Sequence, residues 1–131
     1  MSIKLQFAIS LLFVITHLYS GQGKALFEPI RSDLKRYRLY IEENDLTVNN
    51  GVIYLELDGR RTNHNSLFLL GFYSVGRQLQ KKEIQLREVQ IIIHYEMKHT
   101  QHMAVTASNE SVLGLSQGRI NPDQFFNQVR Y

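Results

Sequence analysis

The chain between residues 37 and 57 contains two short segments in which apolar and polar residues alternate. Residues 37–41 place tyrosine, leucine and isoleucine on one side and mainly charged residues on the other, which predicts a half-buried strand. Residues 53–57 alternate in the same way after Asn49-Asn50-Gly51. Because Asn-Gly favours positive φ angles, this tripeptide predicts a hairpin turn. Residues 26–34 contain a proline and are predicted as an irregular lead-in.

Between Ser66 and Lys82, the spacing of apolar residues changes from every second residue to that of a helix. Apolar residues there recur at the spacing of one helical face, at Phe68, Phe72, Val75 and Leu79. We expect a central helix buried against a sheet, with Asn65 as its N-cap. The alternative is a segment that touches a membrane or a partner. Gly71 and Gly76 lower the helix propensity but permit a close approach to the sheet.

The strongest strand pattern covers Val89 to Met97, and residues 102–107 predict its hairpin partner. If the apolar residues of both strands face the core, Met97 lies opposite Met103. This register leaves a three-residue loop over 99–101. A slip of one residue would turn every side chain of one strand to the other face.

Two short helices are predicted after the second hairpin. Ser108 is a good N-cap for the first of them, which ends at Gly118. Asn121-Pro122 then has the order of an N-cap and a first helical position for a last helix that carries Phe125 and Phe126. The order β-β-α-β-β-α(-α), after an N-terminal signal helix, predicts an α+β fold with a largely antiparallel sheet and the helices on one face.

The first 25 residues have the order of a secretory signal. Lys4 precedes fifteen largely apolar residues, Leu5 to Tyr19, and small or polar residues follow. We expect cleavage after Ser20, Gly23 or Ala25, an exported protein in the periplasm or outside the cell, and a single small α+β domain over residues 26–131. An uncleaved anchor and a helix of the fold are the alternatives. An apolar helix of this length spans only about 22 Å of the roughly 30 Å hydrocarbon core.

Composition limits the available chemistry. The 131 residues include no cysteine, which excludes disulfides, cysteine metal sites and thiol nucleophiles. The formal charge is +3, but cleavage after Ala25 removes Lys4 and Lys24, so 13 basic residues would face 12 acidic ones, a net charge of +1. The remaining basic residues are scattered among acidic ones, and we expect no nucleic-acid partner.

Two motifs suggest catalysis or metal binding. Gly114 to Gly118 matches the G-x-S-x-G pattern of hydrolases, but it ends a helical pattern, and no histidine follows Ser116. Four potential metal ligands lie within nine residues, at His94, Glu96, His99 and His102. In the expected register, however, His102 lies opposite Lys98, about 13 Å along the sheet from His94. Only Glu96 and His102 would share an ion, so we predict no catalytic, cofactor or metal residues.

Residues 115–126, with Gly118-Arg119-Ile120-Asn121-Pro122 before Phe125, are similar to a segment of sterol carrier protein 2-like domains. The resemblance covers this segment alone, and it implies an apolar ligand cavity. Asn109-Glu110-Ser111 is also an N-glycosylation sequon.

The pattern therefore favours an exported, small, non-catalytic binding or adaptor module of a cell envelope or secretion-related system, whose partner is another protein. A carrier of a lipid or other apolar ligand is the alternative; a small hydrolase or metal enzyme and a peptide precursor cut at Arg60-Arg61 are less favoured. Membrane contact is expected only through an uncleaved signal. The candidate interaction residues are Tyr40, Tyr54, Glu56, His94, Glu96, His102, Phe125 and Phe126.

Overall fold

The computed structural model describes residues 23–59, 63–96 and 98–131. Most of the predicted signal segment, residues 1–22, lies outside them, as do Arg60-Arg61 and Met97. The regular elements are α1 (23–35), a 3-10 helix (Glu43–Asp45), β1 (Leu46–Asn49), β2 (Val52–Asp58), α2 (His64–Lys82), β3 (Glu88–Glu96), β4 (Thr100–Ser108), α3 (Asn109–Ser116) and α4 (Pro122–Phe126).

The four strands form one mixed sheet in the order β1-β2-β3-β4. Both hairpins, β1–β2 and β3–β4, are antiparallel, but the central pair β2–β3 is parallel. The parallel pair arises because α2 carries the chain back along the sheet, so β3 starts at the same end as β2. The α+β class is confirmed, and the sheet is antiparallel in two of its three pairings but mixed, because its central pair is parallel.

Helix α1 replaces the predicted irregular lead-in. Leu26, Ile30 and Leu34 lie four residues apart, so they form one face of a helix, and all three are fully buried. Pro29 lacks the amide hydrogen that would bond to the carbonyl of residue 25. The buried face outweighs that lost hydrogen bond, and the proline therefore does not prevent the helix.

The predicted strand over residues 37–41 is also wrong. Helix α1 ends there in a left-handed turn, in which Arg38 has a φ of 60°. The Arg38 amide donates to the Lys35 carbonyl, and the Leu39 amide donates to the Leu34 carbonyl at 3.1 Å. These two bonds satisfy the last carbonyls of the helix. The buried face of α1 and the turn that ends it therefore override the local alternation of residues 37–41.

The first hairpin turn agrees with the sequence. Asn50 and Gly51 both have positive φ angles, 52° and 76°, as a two-residue turn of this hand requires. Asn49 and Val52 pair on either side of it.

The second hairpin has a different register from the expected one. Ile93 lies opposite Met103 and His94 lies opposite His102, and β3 ends at Glu96 while β4 begins at Thr100. The expected pairing of Met97 with Met103 is therefore displaced by four residues. An even displacement leaves the same side chains facing the core, so the apolar pattern did not distinguish the two registers.

Helix α2 lies against the sheet, as predicted, with Asn63 rather than Asn65 as its N-cap. Gly71 allows the close approach, since a Cβ atom there would lie 3.1 Å from the side chain of Ile91. Gly76 serves another contact, because a Cβ atom there would lie 2.8 Å from Ser116 of α3.

The C-terminal helices begin at the predicted caps. The Ser108 side chain accepts a hydrogen bond from the Ser111 amide, and Asn121 forms a capping box with Gln124.

Phe125 is fully buried, with its ring centroid 4.8 Å from that of Phe72. Its predicted place on an interaction surface is therefore wrong.

The helices cover one face of the sheet, here called the covered face. Its strand residues are almost completely buried: Ile53, Leu55, Leu57, Val89, Ile91, Ile93, Val105 and Ala107. An ion pair between Asp33 and Arg77 joins α1 to α2. Within the described ranges, no helix has the length and apolar character needed to cross a membrane.

Candidate functional site

The opposite face of the sheet carries no covering element among the described residues and is here called the open face. Side chains of successive strand residues point to opposite faces, so every second residue of β2, β3 and β4 lies on it. Val52, at one end of this face, is buried. Its half-buried or exposed members include Tyr54, Glu56, Gln90, Ile92, His94, Glu96, His102, Ala104 and Thr106.

The strand register arranges the open face in rows across the sheet. Ile92 is the central residue, with Glu56 opposite it on β2 and Ala104 opposite it on β4. The neighbouring row pairs Tyr54 with Gln90. Ile92 and Ala104 therefore form a small apolar band beside Glu56, in the middle of a mainly polar surface.

Polar side chains around this band are paired with one another. His94 Nε2 lies 2.7 Å from Glu56 Oε1, and the Gln90 side-chain amide donates to the Thr106 hydroxyl at 3.0 Å. The imidazole rings of His94 and His102 are neighbours, with centroids 6.2 Å apart. The open face is thus a connected polar surface with an apolar centre.

Five of the predicted interaction residues come together on this face: Tyr54, Glu56, His94, Glu96 and His102. Glu96 lies at its edge, at the end of β3. The open face also includes Ile92 and Ala104, which the sequence analysis did not select. Both residues alternate with buried neighbours along their strands, and this alternation is the sequence signal that places them on the open face.

The other predicted interaction residues lie elsewhere. Tyr40 is 71% exposed in the loop that follows α1. Phe126 is partly buried and packs against the core beside Phe125. The predicted surface is therefore divided between the open face, a loop and the interior.

The hydrolase-like motif has a structural role. Ser116 lies in the last turn of α3, where its hydroxyl donates to the Leu113 carbonyl at 3.1 Å. Gly118 follows the helix with a φ of 75°. A nucleophilic serine of this motif lies instead between a strand and a helix. The glycines and the serine thus serve helix packing and helix termination.

The sequon lies at the start of α3. The Asn109 side-chain oxygen is buried, and Ser111 is also buried. The Ser111 hydroxyl donates to the Gln128 side chain at 2.7 Å. The sequon residues Asn109 and Ser111 therefore take part in the packing of the start of α3.

The expected separation of the histidines is wrong. His94 and His102 are direct cross-strand neighbours because the register differs from the expected one. Across the described ranges, no group of three histidine or carboxylate side chains is already arranged to hold a metal ion. The four-residue shift thus removes the distance argument against metal binding, without by itself assembling a site.

An open groove of about 700 Å³ lies between α1 and β1. Its apolar lining comes from Phe27, Leu46 and Val48, and its charged lining includes Lys24 and Glu43. Between α2 and the sheet, by contrast, even a Cβ atom at Gly71 would lie only 3.1 Å from the Ile91 side chain, which leaves no space for an apolar ligand at that point. The carrier alternative therefore has no space for a ligand at this contact between α2 and the sheet.

No protein-family model, curated protein or solved structure matches this chain. The inference of its function therefore depends on the chemistry of its own surfaces, of which the open face combines the most predicted residues.

Proposed function

We propose that the protein is an exported, non-catalytic binding or adaptor module of a cell envelope or secretion-related system, and that it binds another protein through the open face. One observation carries the proposal: a sheet face with an aromatic and aliphatic centre has no covering layer among the described residues. A sheet face that contacts only water commonly carries polar residues at such central positions.

The composition of the open face is that of a protein interface. Such interfaces have an apolar centre enriched in aromatic residues and a polar rim. Here Tyr54 and Ile92 lie at the centre, while the Glu56–His94 and Gln90–Thr106 pairs surround them. Tyrosine at the centre of an interface often contributes a large part of the binding energy.

Export is supported by the pattern of the first 25 residues. Among the three expected cleavage positions, the structure of α1 favours the one after Ser20. A Cβ atom at Gly23 would lie 3.5 Å from the Val48 side chain, so Gly23 already packs beside β1. Cleavage after Ala25 would remove this contact and leave the buried Leu26 as the new terminus.

The test compares partner capture by the native protein and by two variants in the organism that makes it. Ile92→Lys places a charge at the centre of the open face. Gln80→Lys adds the same charge at an exposed position on α2, in the helical layer. After chemical cross-linking and purification, we expect one protein to be recovered with the native chain and with Gln80→Lys but lost with Ile92→Lys.

The same partner recovered with all three chains would contradict binding through the open face. Recovery of no protein, together with an apolar small molecule detected by native mass spectrometry, would favour the carrier alternative. Circular dichroism of both variants verifies that the fold is retained.

A further inference from the structure

We propose that the open face holds a binding site for a divalent cation of the zinc or copper type, formed by Glu56, His94 and His102. This site goes beyond protein binding and does not depend on it. The three residues come from three neighbouring strands, and only the observed register brings them together.

The two histidines are spaced for shared ligation. Direct cross-strand neighbours have Cβ atoms about 4.5–5.5 Å apart. With Zn–N bonds of about 2.0–2.1 Å, two imidazoles on one tetrahedral zinc have ring centroids about 5 Å apart. The ring centroids of His94 and His102 lie 6.2 Å apart, which is somewhat farther. A rotation of the two side chains about their χ angles would bring the rings to the required distance.

Glu56 already converges on the same point as His94. Its Oε1 atom lies 2.7 Å from His94 Nε2. Two ligand atoms of one tetrahedral zinc lie about 3.3 Å apart when each bond is about 2 Å. A cation would therefore replace this hydrogen bond after the two atoms separate by a fraction of an ångström.

The side chains are free to make this adjustment. Those of His94 and Glu56 are 42% and 39% exposed, and His102 is also exposed. Rotation is necessary, because no three ligands are already assembled among the described residues. This cost of ordering predicts micromolar rather than tighter affinity.

The ligand types select the cation. Two imidazoles and one carboxylate suit zinc, copper or nickel, whereas calcium and magnesium prefer oxygen ligands only. The carboxylate also neutralises half of the charge of a divalent cation. The fourth position remains open to water, as in zinc sites with three protein ligands.

The test is calorimetric titration of the purified full-length chain with zinc chloride in a non-chelating buffer. We expect one zinc per chain. His94→Asn and His102→Asn should each weaken binding at least about tenfold, and Glu56→Gln should weaken it less because both imidazoles remain. His99→Asn, in the hairpin loop, is the matched control and should leave the affinity within about twofold.

Three results would overturn the site: no zinc binding, an equal loss with His99→Asn and His102→Asn, or one zinc per two chains. NMR line broadening by substoichiometric copper locates the ion independently, and we expect it to centre on His94 and His102. The titration uses the purified chain alone, so its failure would leave partner capture through the open face unaffected, and the reverse also holds.

Discussion

The two faces of the sheet differ sharply although they are built from the same strands. Ile91 and Ile93 on the covered face are fully buried, while Ile92 between them is half-buried on the open face. The covered face packs against helices through apolar contacts and one close glycine approach. The open face instead pairs polar side chains with one another around a small apolar centre.

This difference separates stability from function. On the covered face, each side chain fills space that nothing else fills, so truncation leaves a cavity. On the open face, water replaces a truncated side chain at little cost. We therefore expect substitutions on the covered face to change folding, and substitutions on the open face to change binding.

The largest effect is expected for truncation of neighbouring isoleucines on β3. Ile93→Ala removes a fully buried side chain and should lower the free energy of unfolding by about 2–5 kcal/mol. Ile92→Ala is the matched control, and about 1 kcal/mol is expected because its side chain is only partly buried and water can enter the space that truncation leaves. Urea denaturation of both variants measures the difference, and equal losses would contradict the separation of the two faces.

An intermediate effect is expected for the ion pairs. Asp33→Asn weakens the link from α1 to α2 on the covered side, where the Asp33 side chain is 13% exposed. A loss of about 1–2 kcal/mol is expected, at the low end for a charged hydrogen bond because Arg77 is more exposed. Glu88→Gln weakens the more exposed pair with Arg130, and less than about 1 kcal/mol is expected. The comparison fails if Glu88→Gln has the larger effect in the same denaturation assay.

The smallest effect is a gain at the end of a covering helix. Glu83 ends α2 with a φ of 53°, which costs a residue other than glycine about 1–2 kcal/mol. Glu83→Gly relieves that strain. Glycine also gives the unfolded chain more conformational freedom, which lowers the free energy of unfolding by about 0.4–1 kcal/mol. A net stabilisation of about 0.5–1 kcal/mol is therefore expected in thermal unfolding.

Gln80→Gly is the control for this helix end. It makes the same kind of change inside the last turns of α2, where the backbone is helical, and should instead destabilise by up to about 1 kcal/mol. The same sign of change for both variants would show that the left-handed residue is not the cause.

The local elements could largely be predicted from the sequence. The Asn50-Gly51 turn, the α2 face and the caps at Ser108 and Asn121 depend on nearby residues and agree with the structure. Helix α1 could not be predicted in the same way, because Pro29 and the alternation after it gave the opposite local signal. Its three buried residues obtain their stabilisation from the core, which a local pattern does not include.

The candidate site could be predicted only in part. Alternation correctly assigned Tyr54, Glu56 and His94 to the exposed side of their strands, but it gave no reason to place Glu56 beside His94. That contact requires β2 and β3 to be parallel neighbours. For Phe125 the sequence predicted a surface position, but its ring is buried against Phe72. The local pattern gave no sign of this distant packing partner.

By itself, the sequence determined which side chains of each strand share a face, because the period of two is a local property of extended backbone. The tertiary structure decided which strands are neighbours and at what register. Displacing β4 by four residues leaves its inward residues inward, so only packing across the whole sheet selects the pairing of His94 with His102. The cation site that we propose depends on that selection, whereas the set of outward-facing residues does not.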